Sequence, residues 1–286
     1  MSFVEVIAHG GAGSSPDDPS ARQAVLDDAV ATGLEAETPL DAVVRAVRTL
    51  ESAPAFNAGV GSAVQSDGRI RTDAGLMTDD DRVGAACAMT GVEHAIDVAR
   101  AVLEETPHVL LAGEPARDFA AAHGIETDAD LWTERTRERW ADAGQPGGSV
   151  TDQLEWLADH FGGYDTVGAV ATDGERVAAG TSTGGRWGAL AGRVGDVPQI
   201  GAGFYASSAG GASATGAGED IAREALARTV VDQLEAGRSP QDAAEDAIAS
   251  FGDRANGTAG VIVLDTGGNA GSAFDSEAMQ TARASK

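Results

Sequence analysis

Two spacings of apolar residues alternate along the chain, and each change of spacing marks a new element. Residues 3–9 form a short apolar run that ends in His9-Gly10-Gly11-Ala12-Gly13, which predicts a strand entering a glycine loop. Helical spacing follows over 20–35 and again over 40–50, where Leu40, Val43, Val44, Val47 and Leu50 share one face. Pro54-Ala55-Phe56-Asn57-Ala58-Gly59-Val60-Gly61-Ser62 is too rich in glycine for a helix. Residues 63–77 read as a hairpin turning at Ser66-Asp67-Gly68, 82–89 as a strand and 92–104 as a helix. A short strand over 109–111 and a helix over 114–122 complete the first half.

From about 124 to 165 the texture turns polar. Helical pieces over 133–141 and 149–161 are separated by Gly144-Gln145-Pro146-Gly147-Gly148, which predicts an exposed connecting segment. The pattern then changes abruptly to a buried strand over 166–172, begun by Thr166 and carried by Val167-Gly168-Ala169-Val170-Ala171. Asp173-Gly174-Glu175 turns it into a second strand over 176–181. A strand is expected over 198–206 and a glycine-, alanine- and serine-rich stretch over 207–218. A helix is expected over 219–236, ended by Gly237, and Pro240 opens another. Strands over 260–265 and 269–274 meet at Thr266-Gly267-Gly268. Strands gathered at both ends of each half, with helices between, predict one α+β domain over 1–286 with helices outside sheet layers. No internal repeat is present.

Composition narrows the class. The 286 residues suffice for one large domain, and 42% hydrophobic content is ordinary for a globular chain. No run nears the roughly 20 apolar residues of a membrane span, and the first residues lack a basic, signal-like start, so a cytoplasmic protein is expected. Cys87 stands alone in an apolar run and reads as a small buried hydrophobe. The 45 acids outnumber 20 bases and Lys286 is the only lysine, giving a net charge of −25 spread along the chain. That field repels nucleic acid and anionic membranes. An even, lysine-poor acidity is expected of a protein adapted to high salt, where screening removes self-repulsion.

Generic motifs exclude more than they include. The G-x-G pairs at Gly59/Gly61, Gly201/Gly203 and Gly216/Gly218 lack the third glycine of a dinucleotide fingerprint, and no lysine is placed for a P-loop. His9, His94, His108, His123 and His160 show no zinc-type pairing and read as surface or core histidines. Gly180-Thr181-Ser182-Thr183-Gly184 fits a nucleophile elbow, but no histidine follows it, as the order of that triad requires.

What remains is a set of threonines set in glycine. Thr166 begins a strand, Thr183 lies directly after the strand pairing with it, and Thr215-Gly216-Ala217-Gly218-Glu219 opens a helix, whose free N–H groups favour an anion. A turn or a cap explains any one of these alone; three within 50 residues point to a site. Arg193 and Asp196 could hold the carboxylate and ammonium of an amino acid, or simply pair with each other.

His9–Gly13, Phe56–Gly59, Asp165–Ala171, Thr181–Gly185, Gly192–Asp196 with Pro198, Gly201–Gly203 with Tyr205-Ala206, and Thr215–Glu219 together resemble the plant-type asparaginase/isoaspartyl aminopeptidase family of N-terminal-nucleophile (Ntn) hydrolases. The resemblance runs in family order through nearly the whole chain. It implies a four-layer αββα sandwich and self-cleavage between Asp165 and Thr166 into segments 1–165 and 166–286. It implies Thr166 as nucleophile, its α-amine as base, Thr183 as a hydrogen-bond partner and Asn57 as a positioning residue. Thr215 and the Gly216 N–H would form the oxyanion hole. Arg193 would bind the substrate carboxylate, with Asp196 and the Gly218 carbonyl on its ammonium. A loop resembling residues 50–60, with carbonyls of Leu50, Glu51, Ala53, Phe56, Ala58 and Val60, holds structural Na⁺ in the family; no catalytic cofactor is implied. The family suggests a homodimer of processed protomers acting on asparagine or β-aspartyl peptides. Asp-Thr at the cleavage point instead of Gly-Thr leaves glycosylasparaginase as an alternative, and an unprocessed binding protein as another.

Overall fold

The computed structural model describes residues 4–146, 148–160, 162 and 165–286. Phe3, Gly147, Phe161, Gly163 and Tyr164, which the sequence assigns to a strand start, a break, a helix end and the approach to Thr166, lie outside them. In chain order the elements are β1 (Glu5–Gly13), α1 (Pro19–Leu34), α2 (Pro39–Glu51), β2 (Thr72–Thr78), β3 (Val83–Met89), α3 (Ala95–Glu105), β4 (Leu110–Ala112), α4 (Gly113–Ala122), α5 (Glu134–Ala143) and α6 (Val150–His160). Then follow β5 (Val167–Thr172), β6 (Val177–Thr183), β7 (Phe204–Ser207), β8 (Gly210–Gly216), α7 (Gly218–Glu224), α8 (Leu226–Glu235), α9 (Pro240–Arg254), β9 (Ala259–Asp265), β10 (Ala270–Phe274) and β11 (Ala278–Ser285).

A seven-stranded sheet, ordered β11-β1-β5-β6-β2-β3-β4, faces a four-stranded sheet, ordered β10-β9-β8-β7. Three apolar layers hold the stack together. Leu26, Val30, Val43, Val47, Leu50 and Ile96 pack α1–α3 on the outer face of the large sheet. Ile221, Leu226, Val230, Val231, Ile248 and Phe251 do the same for α7–α9 on the small sheet. Ile7, Met77, Val170, Ala179, Phe204, Ile262 and Leu264 fill the space between the sheets. The result is the expected αββα sandwich.

Local chemistry explains the boundaries. Asp18, Thr38 and Ser239 each accept a first-turn N–H, and a proline follows each at the first helical position. The sequence predicts one helix over 219–236; the chain instead breaks at Ala225, whose left-handed φ of 48° divides α7 from α8. The expected strand over 198–206 shrinks to β7, because 198–203 coil through turns. The glycine-, alanine- and serine-rich stretch contains strand β8, which pairs on both sides within the small sheet. Strand β11 went unpredicted; half of its residues are polar and it is partly exposed, and it seals the edge of the large sheet against β1. The expected hairpin over 63–77 reduces to a single bridge, Val64 to Ile70, before β2.

The connecting segment is less exposed than its polarity predicts. Leu131 and Thr136 are buried. Trp140 packs edge-on against both Trp156 and Trp187, so the segment is pinned to the body beyond Thr166 by aromatic contacts.

Candidate active site

β5 and β6 pair antiparallel, with Val167 opposite Ser182, so Thr166 and Thr183 lie at the same end of the hairpin. Thr166 is buried and its Oγ1 donates to Thr183 Oγ1 at 3.2 Å. The Thr183 hydroxyl in turn donates to the Asp165 carbonyl at 3.3 Å and accepts the Gly185 N–H at 3.1 Å. Asn57 Nδ2 donates to the same Asp165 carbonyl at 2.8 Å and to the Gly185 carbonyl at 2.6 Å. Its Oδ1 accepts the Ala63 N–H at 2.7 Å, which fixes the amide orientation. The carbonyl preceding Thr166 is thus gripped by two donors, beside a hydroxyl that could attack it.

The Asp165 carboxylate points the other way, toward β1. Arg22 Nη2 lies 3.2 Å from Asp165 Oδ2 and donates to the Gly10 carbonyl at 2.6 Å. A Cβ at Gly11 would overlap Asp165 Oδ1, and the φ of 108° there suits glycine alone. Burial pushes the Asp165 pKa up to about 6, with the Arg22 charge and hydrogen bond pulling against it.

The small sheet supplies the opposite wall. Thr215, fully buried at the end of β8, accepts the Ala12 N–H on Oγ1 at 3.2 Å, next to Gly11. Among the described residues its own hydroxyl proton has no acceptor. Gly216 has a φ of 131°, and a side chain there would strike the Thr258 carbonyl. A Cβ on Gly218 would meet Asp196 Oδ1 at 2.5 Å and Arg193 Nη2 at 2.8 Å. The three sequence-predicted head-group residues therefore converge on one small volume. Arg193 Nη2 and Asp196 Oδ2 are buried without hydrogen-bond partners among the described residues.

Arg193 does not pair with Asp196. Its Nε donates to Glu219 Oε1 at 2.9 Å, while Arg186 holds the other Glu219 oxygen at 3.1 Å. Burial raises Glu219, but the hydrogen bond and charge of Arg193, joined by Arg186, outweigh it and bring the pKa to about 2. Burial pushes Asp196 up to about 6 against the attraction of Arg193.

Two buried carboxylate side chains, those of Asp73 and Glu51, escaped the sequence reading. Asp73 stands opposite Thr183 in the β2–β6 register and accepts the Ala88 N–H at 2.7 Å; burial raises its pKa to about 7. A lone carboxylate inside a buried strand was its available signal. The Glu51 carboxylate accepts from Ser182 Oγ at 2.6 Å and the Ile96 N–H at 3.1 Å, and lies 3.5 Å from His94 Nδ1. Burial raises Glu51, and the Glu51 partner raises His94 against the histidine's own desolvation. His9 is buried and bonded through Nε2 to Ser213 Oγ at 2.8 Å. Desolvation lowers it to about 3, the Thr166 backbone acting the other way, so it stays neutral.

The loop after α2, which the family resemblance assigns to a cation, is shaped by two glycines. Gly59 and Gly61 take positive φ, and a Cβ on either would run into carbonyls: Glu51 and Glu93 at Gly59, Pro54 (2.8 Å) and Phe56 (3.1 Å) at Gly61. Main-chain oxygens are the ligand type a hard cation needs, and here they lie against the glycines in two separate pairs. Of the expected ligands, the Glu51 carbonyl lies against Gly59 and accepts the Val60 N–H at 2.9 Å, and the Phe56 carbonyl lies against Gly61. Leu50 and Ala53 carbonyls accept the Ala53 and Phe56 N–H groups, and Ala58 and Val60 lie within the same turn. Among the described residues no cluster of three histidine, cysteine or acidic side chains could hold a metal.

Two facing sheets between helical layers, with a buried threonine at the head of an inner strand, define the Ntn-hydrolase class of fold. The asparaginase family model matches residues 2–286. The plant-type L-asparaginase of Pyrococcus furiosus is 40% identical over 98% of this chain and 96% of its own length. The isoaspartyl peptidase/L-asparaginases of Danio rerio and Macaca fascicularis are 35% and 37% identical, covering 98% and 99% of this chain and 91% and 94% of their own lengths. The chain belongs to the asparaginase family. Among the described residues no helix is long and apolar enough to cross a membrane.

Proposed function

We propose that the chain is a self-processing amidohydrolase that releases ammonia from L-asparagine and opens β-aspartyl peptide bonds, with Thr166 as nucleophile. The observation that carries this reading is the placement of the Asp165 carbonyl, held by Asn57 and Thr183, beside the Thr166 hydroxyl. In maturation Thr166 Oγ1 adds to that carbonyl carbon and the Thr166 nitrogen leaves as an amine. Water then hydrolyses the resulting ester to free the new C-terminal α-carboxylate of Asp165, yielding segments 1–165 and 166–286. The new α-amine, with a pKa of about 8, can take the hydroxyl proton, so no histidine is required.

In turnover Arg193 Nη2 takes the substrate α-carboxylate, and Asp196 with the Gly218 carbonyl takes its α-ammonium. The β-amide carbonyl then faces Thr166, and its developing charge meets the Thr215 hydroxyl and the Gly216 N–H, each such donor being worth about 3 kcal/mol. Ammonia or an amino acid leaves, protonated by the α-amine, and water releases aspartate from the β-acyl ester. Names of the relatives, spanning L-asparaginase and isoaspartyl peptidase, support both substrates. The loop over 50–60 would hold structural Na⁺ through the main-chain carbonyls of Leu50, Glu51, Ala53, Phe56, Ala58 and Val60, as the family resemblance implies. The even acidity supports a salt-adapted cytoplasmic enzyme, and the family supports a homodimer.

A denaturing gel and ammonia release test the core of this reading. Wild type should split at 165/166; Thr166→Ala should remain one chain without activity, and Thr166→Ser should retain part of both. Turnover of a glycosylated asparagine in preference to asparagine and β-Asp-Leu would favour the glycosylasparaginase alternative.

A further inference from the structure

A cleft of about 610 Å³ opens beside Asp165, and its walls include Asn57, Gly185 and Trp187 together with Arg22, Arg135 and Arg139. Three arginines in one cleft are unexpected in a chain with 45 acids and only 20 bases. The acids that share the cleft are Asp17, Asp18 and Asp165. Asp17 and Asp18 are exposed, and Asp18 Oδ1 is committed to the Ala21 N–H at the start of α1. Asp165 is the carboxylate that Arg22 engages.

Arg22 is built as a fixed anion holder. Its guanidinium lies 4.6 Å from the centre of the Phe56 ring, and Nη2 is tied to the Gly10 carbonyl. Its Nε is buried with no hydrogen-bond partner among the described residues. None of these supports depends on Asp165, whereas Asp165 sits on the segment severed from Thr166 when the chain is cut. Departure of that segment's end would leave the guanidinium in place with its anion partner gone.

The chemistry of the reaction says what comes next to it. In the function proposed above, on which this inference rests, the α-amine of Thr166 protonates the leaving group. The leaving nitrogen must therefore lie against Thr166 N, in the volume that Asp165 occupied. We propose that Arg22 binds the α-carboxylate of the leaving amino acid of a β-aspartyl dipeptide, so that this arginine selects β-aspartyl dipeptides with a free C-terminus. The leaving residue carries that carboxylate two bonds from its nitrogen, as Asp165 carries its own side-chain carboxylate close to the scissile bond. Asparagine, whose leaving group is ammonia, gains nothing from Arg22. Charge-assisted bonds to a preorganised, partly buried guanidinium are the kind that discriminate strongly.

The test compares β-Asp-Leu with β-Asp-Leu-amide, and with asparagine as reference, on the processed enzyme. The expected result is a kcat/KM at least about tenfold higher for the free acid than for the amide. Arg22→Gln should erase that preference and lower the ratio of β-Asp-Leu to asparagine turnover. Leucine should inhibit asparagine hydrolysis competitively where leucinamide does not, a readout on wild type that stands even if the variant fails to mature. Equal kcat/KM for acid and amide on an enzyme that has split and hydrolyses asparagine overturns the role of Arg22 alone. A chain that neither splits nor releases ammonia overturns this role and the proposed function together.

Discussion

Replacing Asp196 by asparagine should strengthen the fold at neutral pH while weakening substrate capture. The carboxylate is 5% exposed and Oδ2 has no hydrogen-bond partner among the described residues. Burial lifts its pKa from the ordinary 3.8 to about 6, against the pull of Arg193. A carboxyl raised in the folded state favours folding fully below pH 3.8, and that contribution is lost as pH rises through 6. The interval corresponds to about 3 kcal/mol of stability forgone at pH 7.5. Asparagine keeps the shape and carries no such cost. Urea unfolding of single-chain proteins, both carrying Thr166→Ala, measures the difference without interference from processing. Asp196→Asn should gain at most about 3 kcal/mol at pH 7.5, and the gain should fade toward pH 4. A variant less stable than its parent at pH 7.5, or a gain that does not change with pH, would refute the account of Asp196 as a carboxylate held against its desolvation. In the processing-competent background KM for asparagine should rise on the same substitution, and in wild type it should rise as pH falls below about 6.

Three further outcomes are expected. Arg193→Ala should lower kcat/KM for asparagine by about 100-fold, since the lost bonds are charge-assisted, while circular dichroism stays unchanged; an effect below threefold would exclude Arg193 from the head-group site. Glu51→Ala should cost about 3 kcal/mol or more in denaturant unfolding, because Ser182, the Ile96 N–H and His94 all lose their buried partner. Gly168→Ala should cost at least about 2 kcal/mol: its Cβ would overlap Ser213 Oγ and come within 2.7 Å of His9 Nε2 and 2.9 Å of the Gly180 carbonyl, and a Tm within a degree of wild type would count against that packing.

Elements with strong periodicity were legible in the sequence, and those whose pairing is set by distant strands were not. Helix α2 shows its buried face outright in Leu40, Val43, Val44, Val47 and Leu50. Strand β8 hides because Gly210-Gly211-Ala212-Ser213 has little side-chain pattern; its small residues serve a close approach of the two sheets, where Gly211 meets Val170 and Val177. Strand β11 hides because a partly exposed, half-polar edge strand reads as coil. Thr166, Thr183 and Thr215 drew attention through the glycines around them and Arg193 and Asp196 through their shared loop, whereas Gly218 entered through the family resemblance alone. Glu219 as partner of Arg193, and Arg22 as partner of Asp165, were not, since ion pairs spanning 26 and 143 residues leave no local trace. His9 read as a bland histidine, and its surroundings bear that out: a neutral, buried ring bonded to a serine.

That serine bond belongs to a polar seam with a mechanical purpose. Thr166 and Thr183 stand at the end of the large sheet and Thr215 and Gly216 at the end of the small one, so the proposed attack geometry depends on how the sheets sit on each other. Apolar contacts between them, such as Phe204 against the bare backbone of Gly75, resist separation but tolerate small slides. The chain His9 Nε2 to Ser213 Oγ at 2.8 Å, Ser213 to Thr181 Oγ1 at 2.7 Å, and Thr181 to the Gly203 carbonyl at 2.9 Å runs across the same interface. Hydrogen bonds weaken steeply with angle and leave costly orphans when broken in a dry interior. A slide of one sheet over the other therefore breaks several bonds at once. Stability alone would favour filling this layer with apolar side chains; a polar seam directly behind Thr166 is what an interface needs when one relative position of the sheets must be singled out.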